Sequence, residues 1–188
     1  NDLYKDGLQR EQFLPFISII EKFSIQKELI IKDDYRLKNT DESQHIFYPL
    51  NEKTSFRINK KFREYTKGND QKALKVSTKG RDFLIEKFYL GIARFKFLNL
   101  CDDNLGAEDY LNISKVCKHV FIEEIPNFNN ENSNQQLRFI TLIDIFYEKK
   151  IKLTLSLKEN LNNLGSSTKH SESFKRTISR LFEMTRNS

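Results

Sequence analysis

The sequence predicts an α/β fold, and three observations carry that expectation. Val120-Phe121-Ile122 is a short apolar run of the buried-strand type, Gln135 to Tyr147 places Phe139, Ile143, Phe146 and Tyr147 at helical spacing, and Ile151, Leu153 and Leu155 alternate. Strand, helix, strand in that order is a βαβ unit with a parallel pair. Leu74-Lys75-Val76 and Phe83-Leu84-Ile85 flank Lys79-Gly80-Arg81, as the arms of a β-hairpin flank its turn. Near the start, Phe13, Phe16, Ile17, Ile20 and Phe23 recur at helical spacing within Gln12 to Phe23. Leu29-Ile30-Ile31 follows as a short buried strand that ends in Lys32-Asp33-Asp34-Tyr35-Arg36.

The other elements follow from local chemistry. Pro15 fits the first helix only in its opening turn, where a missing N–H leaves no ladder bond unmade. His45-Ile46-Phe47-Tyr48 is extended ahead of Pro49, because the residue before proline disfavours helix. A helix is expected near Glu52 to Tyr65, with a turn at Lys67-Gly68-Asn69-Asp70. Gly91 to Phe97 alternates as a strand, and Gly106 to Val116 is helical, with Leu105, Tyr110, Ile113 and Val116 available for packing. The Val120 strand is expected to stop at Glu123-Glu124 and Pro126, before an Asn-rich loop from Asn127 to Asn134. After Gly165-Ser166-Ser167 a terminal helix presents Phe174, Ile178 and Leu181 on one face, and Arg176 with Arg180 on another.

With 188 residues, 38% hydrophobic and 31% charged, and with 16 Phe and 7 Tyr, the chain can bury the core of one or two small domains. No apolar run approaches the roughly 20 residues that span a bilayer, and Asn1-Asp2-Leu3-Tyr4 has neither the basic nor the apolar region of a signal peptide. The missing initiator Met suggests a chain cut from a longer product. Cys101 and Cys117 are too few for a disulfide scaffold and are not spaced as a CxxC pair, which fits a reducing compartment. A net charge of +6 favours anionic partners in general, but Lys and Arg are interspersed with acids, so charge alone identifies none.

A phosphate-binding loop needs glycines, so that backbone N–H groups can cradle phosphates, and a following Lys to neutralise them. The chain has no Gly-Lys dipeptide, and no GxGxxG, HExxH or GxSxG. His45, His119 and His170 fall in different segments, without the cysteine or carboxylate spacing of a metal site, and read as structural or surface histidines. Cys117 and His119 are i,i+2 neighbours at a helix-to-strand junction and so point in different directions, which argues against a Cys-His dyad. Glu123-Glu124 imitates the pair of acids after a Walker B strand, but reads better as strand-ending surface acids. Arg10, just ahead of the first apolar helix, is either a solvated residue or a phosphate ligand, since a guanidinium offers fixed donors and a permanent charge.

Asp2-Leu3-Tyr4-Lys5-Asp6-Gly7-Leu8-Gln9-Arg10, followed by Phe13-Leu14-Pro15, resembles the pattern D-x-L-Y-x-x-G-L-x-R-x-x-F-L-P of the ZapE-type P-loop ATPases. The mitochondrial members of that family are called ATPase family gene 1 proteins. Asp34-Tyr35-Arg36, Gly91-Ile92-Ala93-Arg94-Phe95 leading to Leu100-Cys101, Leu105 to Leu111, and Arg138 to Asp144 with Tyr147 agree in the family's order. Phe174 to Met184 is similar to its closing F-x-R-x-x-S-R-L-x-E-M. The resemblance covers nearly the whole chain and departs at Gln135 and Leu137, where the family commonly has Glu and Arg.

The resemblance implies the C-terminal part of an AAA-like P-loop NTPase with an additional α/β region, its central sheet completed by an N-terminal half. It divides the chain into the end of the ATPase core at 1–36, a β-rich connecting region at 37–98, and a C-terminal α/β region at 99–188. ATP and Mg2+ would be held by Walker A, Walker B and sensor 1 elements upstream, so the chain is not expected to hydrolyse ATP alone. Arg10 would be an arginine finger that stabilises charge on the transferring phosphoryl group. Arg176 and Arg180 would be sensor-like nucleotide contacts or partners of buried acids, and Arg138 a clamp on a carboxylate of the following strand. The partners implied are the upstream half, further copies of the chain, and a protein such as the tubulin homologue of the division ring. The location implied is the bacterial cytoplasm or, for a eukaryotic source, the mitochondrion. The rival reading is a non-enzymatic interaction module or split-gene remnant, favoured by exposed aromatics. Nucleic-acid binding ranks last, for want of interleaved basic and aromatic residues.

Overall fold

The computed structural model describes residues 10–23, 45–78, 81–102 and 105–186. Two compact units divide between Asp34 and Tyr35. The first contains helix α1, Arg10–Phe23. It starts earlier than the periodicity suggested, which moves Pro15 into the second turn, where the proline nitrogen cannot donate to the Glu11 carbonyl. The strand expected at Leu29-Ile30-Ile31 lies outside the described residues.

The second unit contains β1 (Ile46–Phe47), α2 (Glu52–Thr66), β2 (Lys72–Thr78), β3 (Arg81–Tyr89), β4 (Ile92–Lys96), α3 (Phe97–Cys101), α4 (Ala107–Val116), β5 (His119–Ile125), α5 (Ser133–Glu148), β6 (Lys152–Leu157) and α6 (Ser171–Met184). The strands form one six-stranded sheet in the order β1-β6-β5-β4-β3-β2. β1, β6, β5 and β4 run parallel, while β3 is antiparallel to both its neighbours. The β2–β3 hairpin and the parallel β5–α5–β6 unit stand where the alternation placed them. The strands come from both the 37–98 and the 99–188 stretch, which therefore share one sheet.

Alternation along β5 divides the core. Val120, Ile122 and Ile125 join the larger apolar cluster, with Leu153, Leu155 and Leu157 of β6 and residues of α3 to α6. Phe121 turns to the opposite face and packs with Phe47, Ile58 and Phe62 under α2. The Phe62 and Phe121 rings meet edge to face, 5.0 Å apart at 81°. Asn51 caps α2 by accepting the Thr54 N–H at 2.9 Å, and the left-handed Lys67 (φ 53°) ends that helix. Asp109 secures the start of α4 by accepting the Gly106 N–H at 2.8 Å.

Two local expectations are corrected. β5 does not stop at Glu123-Glu124 but runs to Ile125, because the register slips at a bulge where Glu124 takes φ 62° and its N–H finds the Ser156 hydroxyl at 3.0 Å. Phe97, taken as the end of a strand, instead opens the short helix α3. Its ring joins Phe128 and Phe139 in the core, with centroids 5.7 Å away in each case.

Gly165 seals the loop over this aromatic group. A Cβ added there would lie 2.7 Å from the Phe128 carbonyl oxygen, a backbone atom that cannot swing aside. Gly165→Ala is expected to destabilise the chain by about 1–3 kcal/mol, the usual cost of overpacking, read as a lower urea midpoint at unchanged slope.

Candidate functional site

The arginines singled out by sequence fall into different settings. Arg10 is the first residue of α1. Arg176 and Arg180, one turn apart on α6, converge on Asp144 of α5. Arg176 Nη2 donates to Oδ2 at 3.3 Å, and Arg180 Nη1 donates to Oδ1. Arg180 also lies over the Tyr147 ring, 4.7 Å from its centroid, and the Tyr147 hydroxyl donates to Glu183 at 2.9 Å. The α5–α6 seam is thus laced by one shared acid and one aromatic ring.

Arg138 departs from expectation. It does not clamp a carboxylate of the following strand but donates to the carbonyls of Cys101 and Asp102, at 3.1 and 3.0 Å. A helix end leaves carbonyls without intrahelical donors, and a cation there meets both that need and the dipole of α3. Gln135 donates to the Asp102 carboxylate at the same end.

The acids after Val120-Phe121-Ile122 are not equivalent surface groups. Glu123 receives a bidentate contact from Arg94 of β4, whose Nη2 also donates to Asn59 of α2 at 2.7 Å. With Arg94 and Glu123 side chains only 11% and 15% exposed, this pair ties β4, β5 and α2 together. Glu124 faces solvent in an ion pair with Lys96 at 3.0 Å.

Two histidines that the sequence kept apart come together. His45 Nδ1 and His119 Nε2 each lie 2.8 Å from Thr154 Oγ1, and Tyr65 Oη lies 3.2 Å from His45 Nε2. The β5–β6 register sets Phe121 opposite Thr154, so His119 and Thr154 emerge on the same α2-facing side. Burial first, then the charges of His45, Lys152 and Lys61, push the His119 pKa down to about 3, so the ring is neutral at pH 7. A cavity of about 270 Å³ opens beside the cluster. Neither cysteine belongs to it: both are buried, and burial raises the Cys101 thiol and pushes the Cys117 thiol up to about 12.

Compared with known proteins, the whole chain, residues 1–188, matches the family described as AFG1-like ATPase. The chain belongs to the AFG1-like ATPase family. It is similar to the cell division protein ZapE of Escherichia coli K12, at 27% identity over 98% of this chain and 49% of the relative. Lactation elevated protein 1 homolog B of Danio rerio is 31% identical over 87% of the chain and 33% of its own length. The Schizosaccharomyces pombe protein C115.02c is 33% identical over 83% of the chain and 35% of its length. The chain therefore spans about a third to a half of these relatives. No solved structure matches.

The family is one of ATPases, and this AFG1-like chain carries no phosphate-binding loop motif of its own. It has no Gly-Lys dipeptide, and among the described residues no group of three or more His, Cys, Asp or Glu is set to hold a metal. What sequence reading missed is the His45–Thr154–His119–Tyr65 group, whose members lie up to 109 positions apart. The available signal was chemical: a Thr and a Ser inside a strand that is otherwise buried and apolar, and a His at the head of another such run.

A neutral buried His119 makes stability depend on pH. Unfolded, it takes up a proton below about 6.5, while folded it does so only near 3, so stability present above 6.5 is lost as pH falls through that window. Between pH 7.5 and 5.5, above most carboxylate titration, the loss expected from this residue is about 1.4 kcal/mol. Urea unfolding at the two pH values should show it, and His119→Gln should reduce the difference by that amount.

Proposed function

We propose that this chain is the C-terminal part of an ATPase that works when joined to an N-terminal half bearing the phosphate-binding loop and the magnesium ligands. The observation that carries this reading is the match of the AFG1-like family to all 188 residues, in a chain without a phosphate-binding loop of its own. In it, residues 1–36 complete the nucleotide-binding core, and Arg10 is the arginine finger, acting across neighbouring copies in an oligomer. Arg176 and Arg180 are sensor residues held in reserve on Asp144. Arg176 is the readier to exchange partners, being 60% exposed and bonded at 3.3 Å. Hydrolysis moves the six-stranded unit against the core and so remodels a protein partner.

The Escherichia coli relative is named for cell division. By that analogy the partner is a division-ring protein such as the tubulin homologue, and the setting is the bacterial cytoplasm, or the mitochondrion in a eukaryote. Among the described residues no helix is long and apolar enough to cross a membrane. A second reading, a non-enzymatic interaction module, draws on the exposed Phe16 and Phe23 of α1 and Phe56 of α2.

The deciding experiment is steady-state ATPase activity of the full-length protein, with native Arg10 and with Arg10→Ala, across protein concentration. A finger predicts a loss of about 10³-fold in kcat with nucleotide binding retained. Unchanged turnover makes Arg10 a solvated residue, and an upstream sequence without Walker A leaves the interaction module.

A further inference from the structure

The cavity of about 270 Å³ beside the histidine pair is lined by His45, Tyr65, His119, Lys152, Met184 and Arg186, with no carboxylate among the described residues of its wall. Lys152 opens β6 and His119 opens β5, and the strand register sets them side by side. Among the described residues the Lys152 ammonium has neither an ion-pair nor a hydrogen-bond partner. The described part of the wall therefore combines a lysine and an arginine with two imidazoles and a phenol.

Thr154 orders the imidazoles. It has one hydroxyl proton, so it can donate to one ring only and must accept from the other. If Tyr65 donates to His45 Nε2, the chain runs through His45 Nδ1–H to Thr154 and from Thr154 to His119 Nε2, which leaves His119 with an N–H on Nδ1. Burial first, then the charges of His45, Lys152 and Lys61, hold His119 neutral, and an anion beside the ring would offset those charges.

We propose that this cavity binds a small oxyanion, a phosphate or a compact carboxylate, held by Lys152 and Arg186 and hydrogen-bonded through the tyrosine–histidine–threonine–histidine chain. An adjoining cavity of about 440 Å³ shares Lys152 and Met184 and is lined as well by Glu148, Lys150 and Glu183, so its charges are mixed. The site is independent of the ATPase reading, since it lies in the six-stranded unit and needs no phosphate-binding loop.

The test is NMR of the histidine ring protons in the 188-residue chain, titrated with inorganic phosphate and separately with citrate at constant ionic strength held with chloride. The expected result is saturable shifts at His45 and His119 but not at His170, with the His119 pKa raised by the bound anion. Lys152→Met and Arg186→Gln, at exposed positions that leave the core intact, should each weaken binding at least tenfold, about 1.4 kcal/mol. Saturation by phosphate alone or by citrate alone supports the site and assigns the anion. Shifts that match the chloride control, an equal response at His170, or an affinity unchanged in both variants would overturn it.

Discussion

The organisation of the second unit rests on β5 having two covered faces. A strand in the middle of a parallel sheet must satisfy both sides at once, and β5 does so by sending Val120 and Ile122 to one layer and His119, Phe121 and Glu123 to the other. The first layer is the ordinary apolar one. The second is narrower and mixed, an aromatic group under α2 flanked by the His119–Thr154 contact at one end and the Arg94–Glu123 pair at the other. Buried polar groups are tolerable only when partnered, and here the partners come from β4, β6 and α2, so pairing of the polar groups and docking of the helix are one requirement.

How much of this was legible depended on the range of the signal. The hairpin, the β5–α5–β6 unit, α2 and α6 were readable because alternation and helical spacing are properties of a dozen neighbouring residues, and tertiary packing here reinforces them. Glu123 and Glu124 misled because acids after an apolar run usually mark a strand end. A bulge and an arginine 29 positions upstream carry the strand past them. α3 escaped because Phe97 continues an alternation that the backbone abandons. The histidine group had no local signature, since it is assembled by strand register. Resemblance, in contrast, reached the family directly, because several collinear motifs say more than any one pattern.

The seam between α5 and α6 connects the fold to the functional reading. Asp144 holds two arginines from successive turns of one helix, which positions α6 against α5 while leaving one of those arginines partly free of its acid. A helix secured by exchangeable charge contacts over an apolar stripe can shift its contacts without losing its place.

The two cysteines give the fold an internal timekeeper. Cys101 closes α3 and Cys117 caps α4, one at each end of the connection from β4 to β5, and both thiols are buried and held protonated. Because only a thiolate that meets solvent reacts with an alkylating reagent, neither sulfur is available while that crossover stays packed. Their rate of modification therefore counts the openings of the crossover, and a chain with no natural chromophore stronger than tyrosine carries its own probe of local unfolding.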